Sequence, residues 1–286
     1  DQQASADLLR RVIEPEHLKE FGYRELTWLT RQIRTIADAD PGFAVDIYRA
    51  AYSFSESSDE ATAMGNSALL AMRSNRRQDY QGSWFQLSES LTPILEHDLQ
   101  IGLQALTVSL EGYGVRERNR EPYPGETGEG RFTVGTQLAH FAADWSHTWY
   151  RGGFKPMQDA PVLLTKFEAF LFQLDQSTNA TAEMSRIVTT LAGLPFVPAA
   201  VWASLLLAGA RSPQLYAEVL APLAVAEPII RSSDTRYQLG EFIRAAYPVW
   251  SNTAKQDFEH TILALTGDRA DRYRAVLAGC IPDQMA

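Results

Sequence analysis

Leu26, Leu29, Ile33 and Ile36 recur at intervals of three or four positions, while Arg31, Gln32 and Arg34 fall between them. That spacing predicts an amphipathic helix with one apolar stripe and one charged face. Asp38-Ala39-Asp40-Pro41 interrupts it. Proline disfavours helical backbone at Asp40 yet suits the first turn of a new helix, so Phe43, Ile47 and Ala50 begin a second apolar face. The two helices are expected to form an antiparallel hairpin, which needs neighbours to bury both its faces. Before them, Asp7–Ile13 reads as a short helix, and Glu14-Pro15-Glu16 restarts the chain into another turn. Beyond them, Tyr80, Trp84, Leu87 and Leu91 keep helical spacing, Pro93 punctuates, and a further helix is predicted from about Asp98 to Glu117.

The segment RNREPYPGETGEGR at 118–131 is rich in glycine, proline and charge and reads as a surface loop. After Arg131, FTVGTQLAHFAADWSHTWY fits neither period cleanly, which leaves a short extended ribbon and a helix both open over 131–150. Leu163, Leu164, Phe167, Phe170, Leu171 and Leu174 then stripe one helix. Further helices are predicted over roughly 181–192, 198–210, 213–230, 234–247, 251–265 and 268–279, with prolines near the joints. The fold class expected is all-α, an irregular α-solenoid of stacked helical hairpins of the HEAT or tetratricopeptide sort, with a small β-ribbon near 131–150. No exact repeat is visible. The expected organisation is N-terminal helical repeats over 1–118, a loop-rich insertion over 119–160 and C-terminal helical repeats over 161–286.

Composition sharpens this. The 286 residues are 45% apolar, enough for a sizeable core. Twenty-six basic against thirty-five acidic residues give a net charge of −9, which opposes nonspecific binding to nucleic acid and to anionic membrane surfaces. A single cysteine, Cys280, excludes an intrachain disulfide and a cysteine zinc cluster and fits a reducing cytoplasm. The sequence opens on Asp1 with no leader pattern, and we expect an excised piece of a longer polypeptide. The uncharged run between Arg186 and Arg211 approaches the length of a membrane span, but Gly193, Pro195 and Pro198 leave only 198–210 as a smooth helix. A buried core helix is the expectation there.

Candidate chemistry is sparse. On a helix, His140, Asp144 and His147 would share one face and could serve a metal-dependent hydrolase, although Trp145 and Trp149 beside them read as packing residues. Arg73, Arg76 and Arg77, with Tyr80 and Trp84 behind them, combine guanidinium forks with aromatic faces. A solvated loop pairing with acidic neighbours accounts for the same letters. No phosphate-binding G-x-x-x-x-G-K-[ST] loop, G-x-S-x-G elbow, H-E-x-x-H or strand-linked G-x-G-x-x-G occurs. Cys280 reads as a small buried thiol.

Asp40-Pro41 through Ile47-Tyr48, SNRRQDY at 74–80 with Trp84-Phe85-Gln86-Leu87, and Phe141 with Asp144, Ser146 and Trp149 are landmarks of another kind. Over residues 20–175 the chain resembles the start of the helical-repeat region that follows the NTPase module in large bacterial STAND-type NTPases, several of them anti-phage defence ATPases. The resemblance implies a region that holds the ATPase inactive, senses a partner protein or transmits its binding into oligomerisation. It also implies that ATP and magnesium belong to the parent, with no cofactor, metal or catalytic residue in this chain. The expectation is a non-catalytic scaffold that binds a protein partner or adjoining domains of its own polypeptide. Contacts are expected through Arg73, Arg76, Arg77, Tyr80 and Tyr123.

Overall fold

A computed structural model of the chain describes residues 2–56, 75–117, 128–150 and 160–282. Within them the fold is all-α, as the periodicity predicts, with one two-stranded antiparallel ribbon in the stretch where neither period fits. The chain divides into two compact units, Asp1–Arg118 with Pro156–Lys166 and Asn119–Lys155 with Phe167–Ala286.

The first unit contains α1 (Gln2–Arg11), α2 (Pro15–His17), a π-helical stretch at Leu18–Gly22, α3 (Tyr23–Arg31), α4 (Ile33–Ala39), α5 (Pro41–Ser53), α6 (Asn75–His97) and α7 (Leu99–Glu117). The helix predicted over 26–36 is broken at Gln32, where φ is −101° and ψ 9°. Pro41 opens α5 as expected, and Asp40 caps it by accepting the Phe43 N–H at 3.0 Å. Phe43, Ala44, Val45, Ile47, Tyr48, Ala51 and Tyr52 are all buried, more than a stripe. That makes α5 the central helix of the unit. It packs most extensively on α7, and α3 packs on α6. A Cβ on Gly112 of α7 would lie 2.9 Å from the Ser53 backbone nitrogen, so glycine sets this close approach. Pro93 does not end its helix. α6 runs through it to His97, because Leu91, Ile94 and Leu95 keep one buried face across the missing hydrogen bond.

The second unit begins with β1 (Glu129–Val134) and β2 (Gln137–Ala142), in register from Glu129 opposite Ala142 to Val134 opposite Gln137. β1 starts inside the segment read as a loop. Phe132, Ala139, Phe141 and Ala142 face the core, and Phe132 meets the edge of Trp202 at 5.1 Å. Then follow α8 (Ser146–Trp149), α9 (Ala160–Gln173), of which the part up to Lys166 belongs to the first unit, α10 (Ala180–Ala192), α11 (Ala199–Arg211), α12 (Pro213–Ala224), α13 (Glu227–Arg231), α14 (Ser233–Ala246), α15 (Asn252–Ala264) and α16 (Ala270–Ala278). These match the predicted helices closely, except that 213–230 splits at Val225 and Ala226. α11 is buried nearly all round and packs most extensively on α14. Its 13 residues span about 20 Å, short of a bilayer core of roughly 30 Å. Among the described residues no helix is long and apolar enough to cross a membrane.

Candidate functional site

The densest polar cluster forms where the ribbon runs into α8. Trp145 lies in the left-handed region with φ 60°, a conformation that costs a non-glycine residue on the order of 1–3 kcal/mol and needs neighbours to hold it. The turn aims three backbone donors at the Asp234 carboxylate. Asp144 N and Trp145 N donate to Oδ2 at 3.0 and 3.1 Å, and His147 N donates to Oδ1 at 3.2 Å. The His147 ring adds Nδ1 at 2.7 Å from the same Oδ1.

Helix-end chemistry explains why these side chains are here. The first N–H groups of a helix lack partners within it. α8 has no side-chain cap of its own at Trp145, and Asp234 supplies the acceptor from the first turn of α14. α11 starts behind Pro198, also without a side-chain cap, and Asp144 Oδ2 accepts its Ala200 N–H at 2.9 Å. Asp144 Oδ1 accepts Ser146 N–H at 3.0 Å, while Ser232 Oγ caps α14 through Asp234 N–H at 3.2 Å. Two aspartates thus cap helices remote from their own in sequence.

The electrostatics are strained. Asp144 and Asp234 are both 3% exposed. Burial and then the neighbouring Asp234 charge push the Asp144 carboxyl up to about 7, against the pull of the Ala200 and Ser146 N–H groups. A second buried acid, Glu168, accepts the Tyr150 hydroxyl at 2.8 Å and the Ser204 hydroxyl at 3.1 Å.

The geometry at His147 differs from that of a nucleophile–base–acid relay. Ser233 Oγ lies 3.4 Å from the same His147 Nδ1 that Asp234 holds. In a nucleophile–base–acid relay the imidazole would bridge through both nitrogens. The helical face proposed for His140, Asp144 and His147 does not form. His140 belongs to β2 and its Nε2 accepts from Arg131 Nε at 3.0 Å, whereas Asp144 and His147 follow in the turn and α8. Among the described residues no group of three or more His, Cys, Asp or Glu could hold a metal ion. A cleft of about 390 Å³ lies between β1 and the α12–α13 joint, bordered by Arg131, Thr133, Pro222, Val225, Glu227 and Pro228. Its carboxylate Glu227 is paired with Arg231 at 2.7 Å.

Of the contact residues read from sequence, Arg73 and Tyr123 lie outside the described residues. Arg76 donates to Lys19 O, pairs with Glu56 at 3.2 Å and covers the Tyr23 ring at 4.7 Å. Arg77 is half-buried. Tyr80 is 1% exposed and donates to Leu18 O at 2.6 Å, so it is a tie within the first unit and has almost no surface to offer a partner. Trp84 does similar work, its indole N–H reaching Ala51 O at 2.9 Å. Sequence reasoning missed Asp234, whose one local sign was the cap-like run Ser232-Ser233-Asp234. No protein-family model, curated protein or solved structure matches the chain, so the resemblance to STAND-type NTPases gains no support from comparison.

Proposed function

We propose that this chain is a non-catalytic helical scaffold that works by protein–protein contact in the cytoplasm. On this reading it is the sensing or autoinhibitory part of a larger NTP-dependent defence or signalling protein, whose ATP and magnesium sites lie elsewhere. The observation that supports it best is where the polar chemistry is spent. Asp144 and Asp234 accept backbone N–H groups at helix ends, and Glu168 accepts two hydroxyls. The residues that carry the family resemblance are framework joints as well. Tyr48 donates to Leu87 O at 2.8 Å, Tyr80 to Leu18 O and Trp84 to Ala51 O, while Asp144 caps α11. Such residues favour a likeness of architecture, with specificity left to the helix surfaces.

Hydrogen exchange compared between the isolated chain and the full-length polypeptide that contains it tests this reading. Added protection confined to the exposed faces of a few helices supports it, and identical exchange throughout contradicts it. The 2.7 Å His147–Asp234 pair favours a second reading, a hydrolase. That reading predicts turnover by the purified chain that His147→Ala abolishes, and bound metal if the hydrolase is metal-dependent.

A further inference from the structure

The outward face of α3 carries a pattern that the framework does not use. Arg24, Trp28 and Arg31 follow one another at intervals of four and three residues, which sets them in one row along α3, and Phe21 precedes them by three residues in the π-helical stretch. Leu26, Leu29 and Thr30 take the inward face. Trp28 is 62% exposed and Phe21 43%, although large aromatic rings bring the biggest gains when buried. Arg24 and Arg31 are exposed beside them, and among the described residues neither makes an ion pair. Arg24 rests over the Tyr23 ring at 5.1 Å and its charge reaches Asp79. Glu25, next to Arg24, is held by His17 at 2.6 Å, Glu20 is exposed beside Phe21, and Arg34 adds a further exposed cation beyond Arg31. A row of alternating aromatic rings and guanidinium groups thus stands on a protein of net charge −9.

We propose that this row docks an acidic amphipathic helix of a protein partner. Phe21 and Trp28 take its apolar side chains, and Arg24 and Arg31 take its carboxylates. The proposal rests on the scaffold reading and gives that scaffold's partner its chemistry. Charge complementarity selects acids, since two cations without an ion pair gain most from carboxylates that arrive already ordered on a helix. The spacing selects a helix, since a row of about 15 Å with three- and four-residue steps matches the ridge of a second helix over two to three turns. Bases can also stack on aromatic rings beside arginine. The net charge works against a long polyanion, which favours the peptide.

The test is fluorescence anisotropy with a labelled synthetic helix of roughly four turns. It bears leucines one heptad apart with glutamates three and four residues from each. A lysine-for-glutamate version and an oligothymidine serve as controls. The glutamate peptide should bind saturably and more weakly as salt rises. Trp28→Ala should weaken binding about tenfold, as expected for loss of an aromatic anchor. Arg24→Glu with Arg31→Glu should abolish it and let the lysine peptide bind, with circular dichroism and melting unchanged. No saturable binding of the glutamate peptide, equal binding by wild type and both variants, or tighter binding of oligothymidine would overturn the proposal. Binding that survives both sets of substitutions moves the surface and leaves the scaffold reading intact, whereas unchanged hydrogen exchange in the full-length polypeptide removes that reading itself.

Discussion

Replacing Asp144 by asparagine removes a charge with almost no change in size. The wild-type carboxyl is pushed up to about 7 in the fold by burial and by Asp234, against 3.8 for the unperturbed group. Between those values the folded protein keeps a proton that the unfolded chain has released. The contribution of this carboxyl to stability is therefore fully present below the lower value, falls as pH rises and levels off above the upper one. A single proton sets a slope of at most about 1.4 kcal/mol per pH unit. Asparagine has no such proton. It also offers one carbonyl to two donors, the Ser146 and Ala200 N–H groups, and turns its own NH₂ toward the other. In acid the protonated wild-type carboxyl meets the same mismatch, its O–H facing one of the two donors, so the asparagine resembles it there. Asp144→Asn should therefore lie close to wild type in acid and become the more stable of the two as pH climbs through neutrality, where the wild-type carboxyl ionises beside Asp234. Guanidinium unfolding followed by tryptophan fluorescence at stepped pH measures this difference. Stability–pH curves that run parallel for the two proteins would refute the reasoning.

Other substitutions probe the packing. Gly209→Ala would put a Cβ 2.7 Å from Leu220 and Phe242 side-chain atoms, so the α11–α14 contact must open. Despite alanine's better helix propensity, the thermal midpoint should drop by the equivalent of about 1–3 kcal/mol. Tyr48→Phe removes the buried donor to Leu87 O and should cost about 1 kcal/mol by chemical denaturation, with no change in secondary structure. His147→Ala takes the ring from Asp234 but leaves its three backbone donors. A loss of about 1–3 kcal/mol in unfolding free energy is expected.

Much of the helical framework can be read from local rules. Pro41 and Pro213 open helices because their fixed φ suits the first turn. Pro93 misleads, since local chemistry says stop and the buried face of Leu91, Ile94 and Leu95 carries the helix on. The ribbon escaped assignment because Leu138, an apolar residue, points outward at 56% exposed and spoils the alternation that Ala139 and Phe141 would otherwise show. The candidate site was half visible. Asp144 and His147 stood out by type, but their helical spacing dissolved once Trp145 took a positive φ. Their partner Asp234 sits 87 residues beyond His147, and no period or local motif links a capping carboxylate to a helix that far away.

The claim most in need of test is that surface, and not the buried carboxylates, does the work. Titration of the acidic helical peptide into wild type, Trp28→Ala and Asp144→Asn separates the two directly. Trp28 is 62% exposed, so its replacement should leave stability within about 0.5 kcal/mol of wild type while binding weakens. Asp144→Asn should shift the stability–pH curve and bind the peptide with wild-type affinity. Peptide affinity that follows Asp144 and ignores Trp28 would contradict the account.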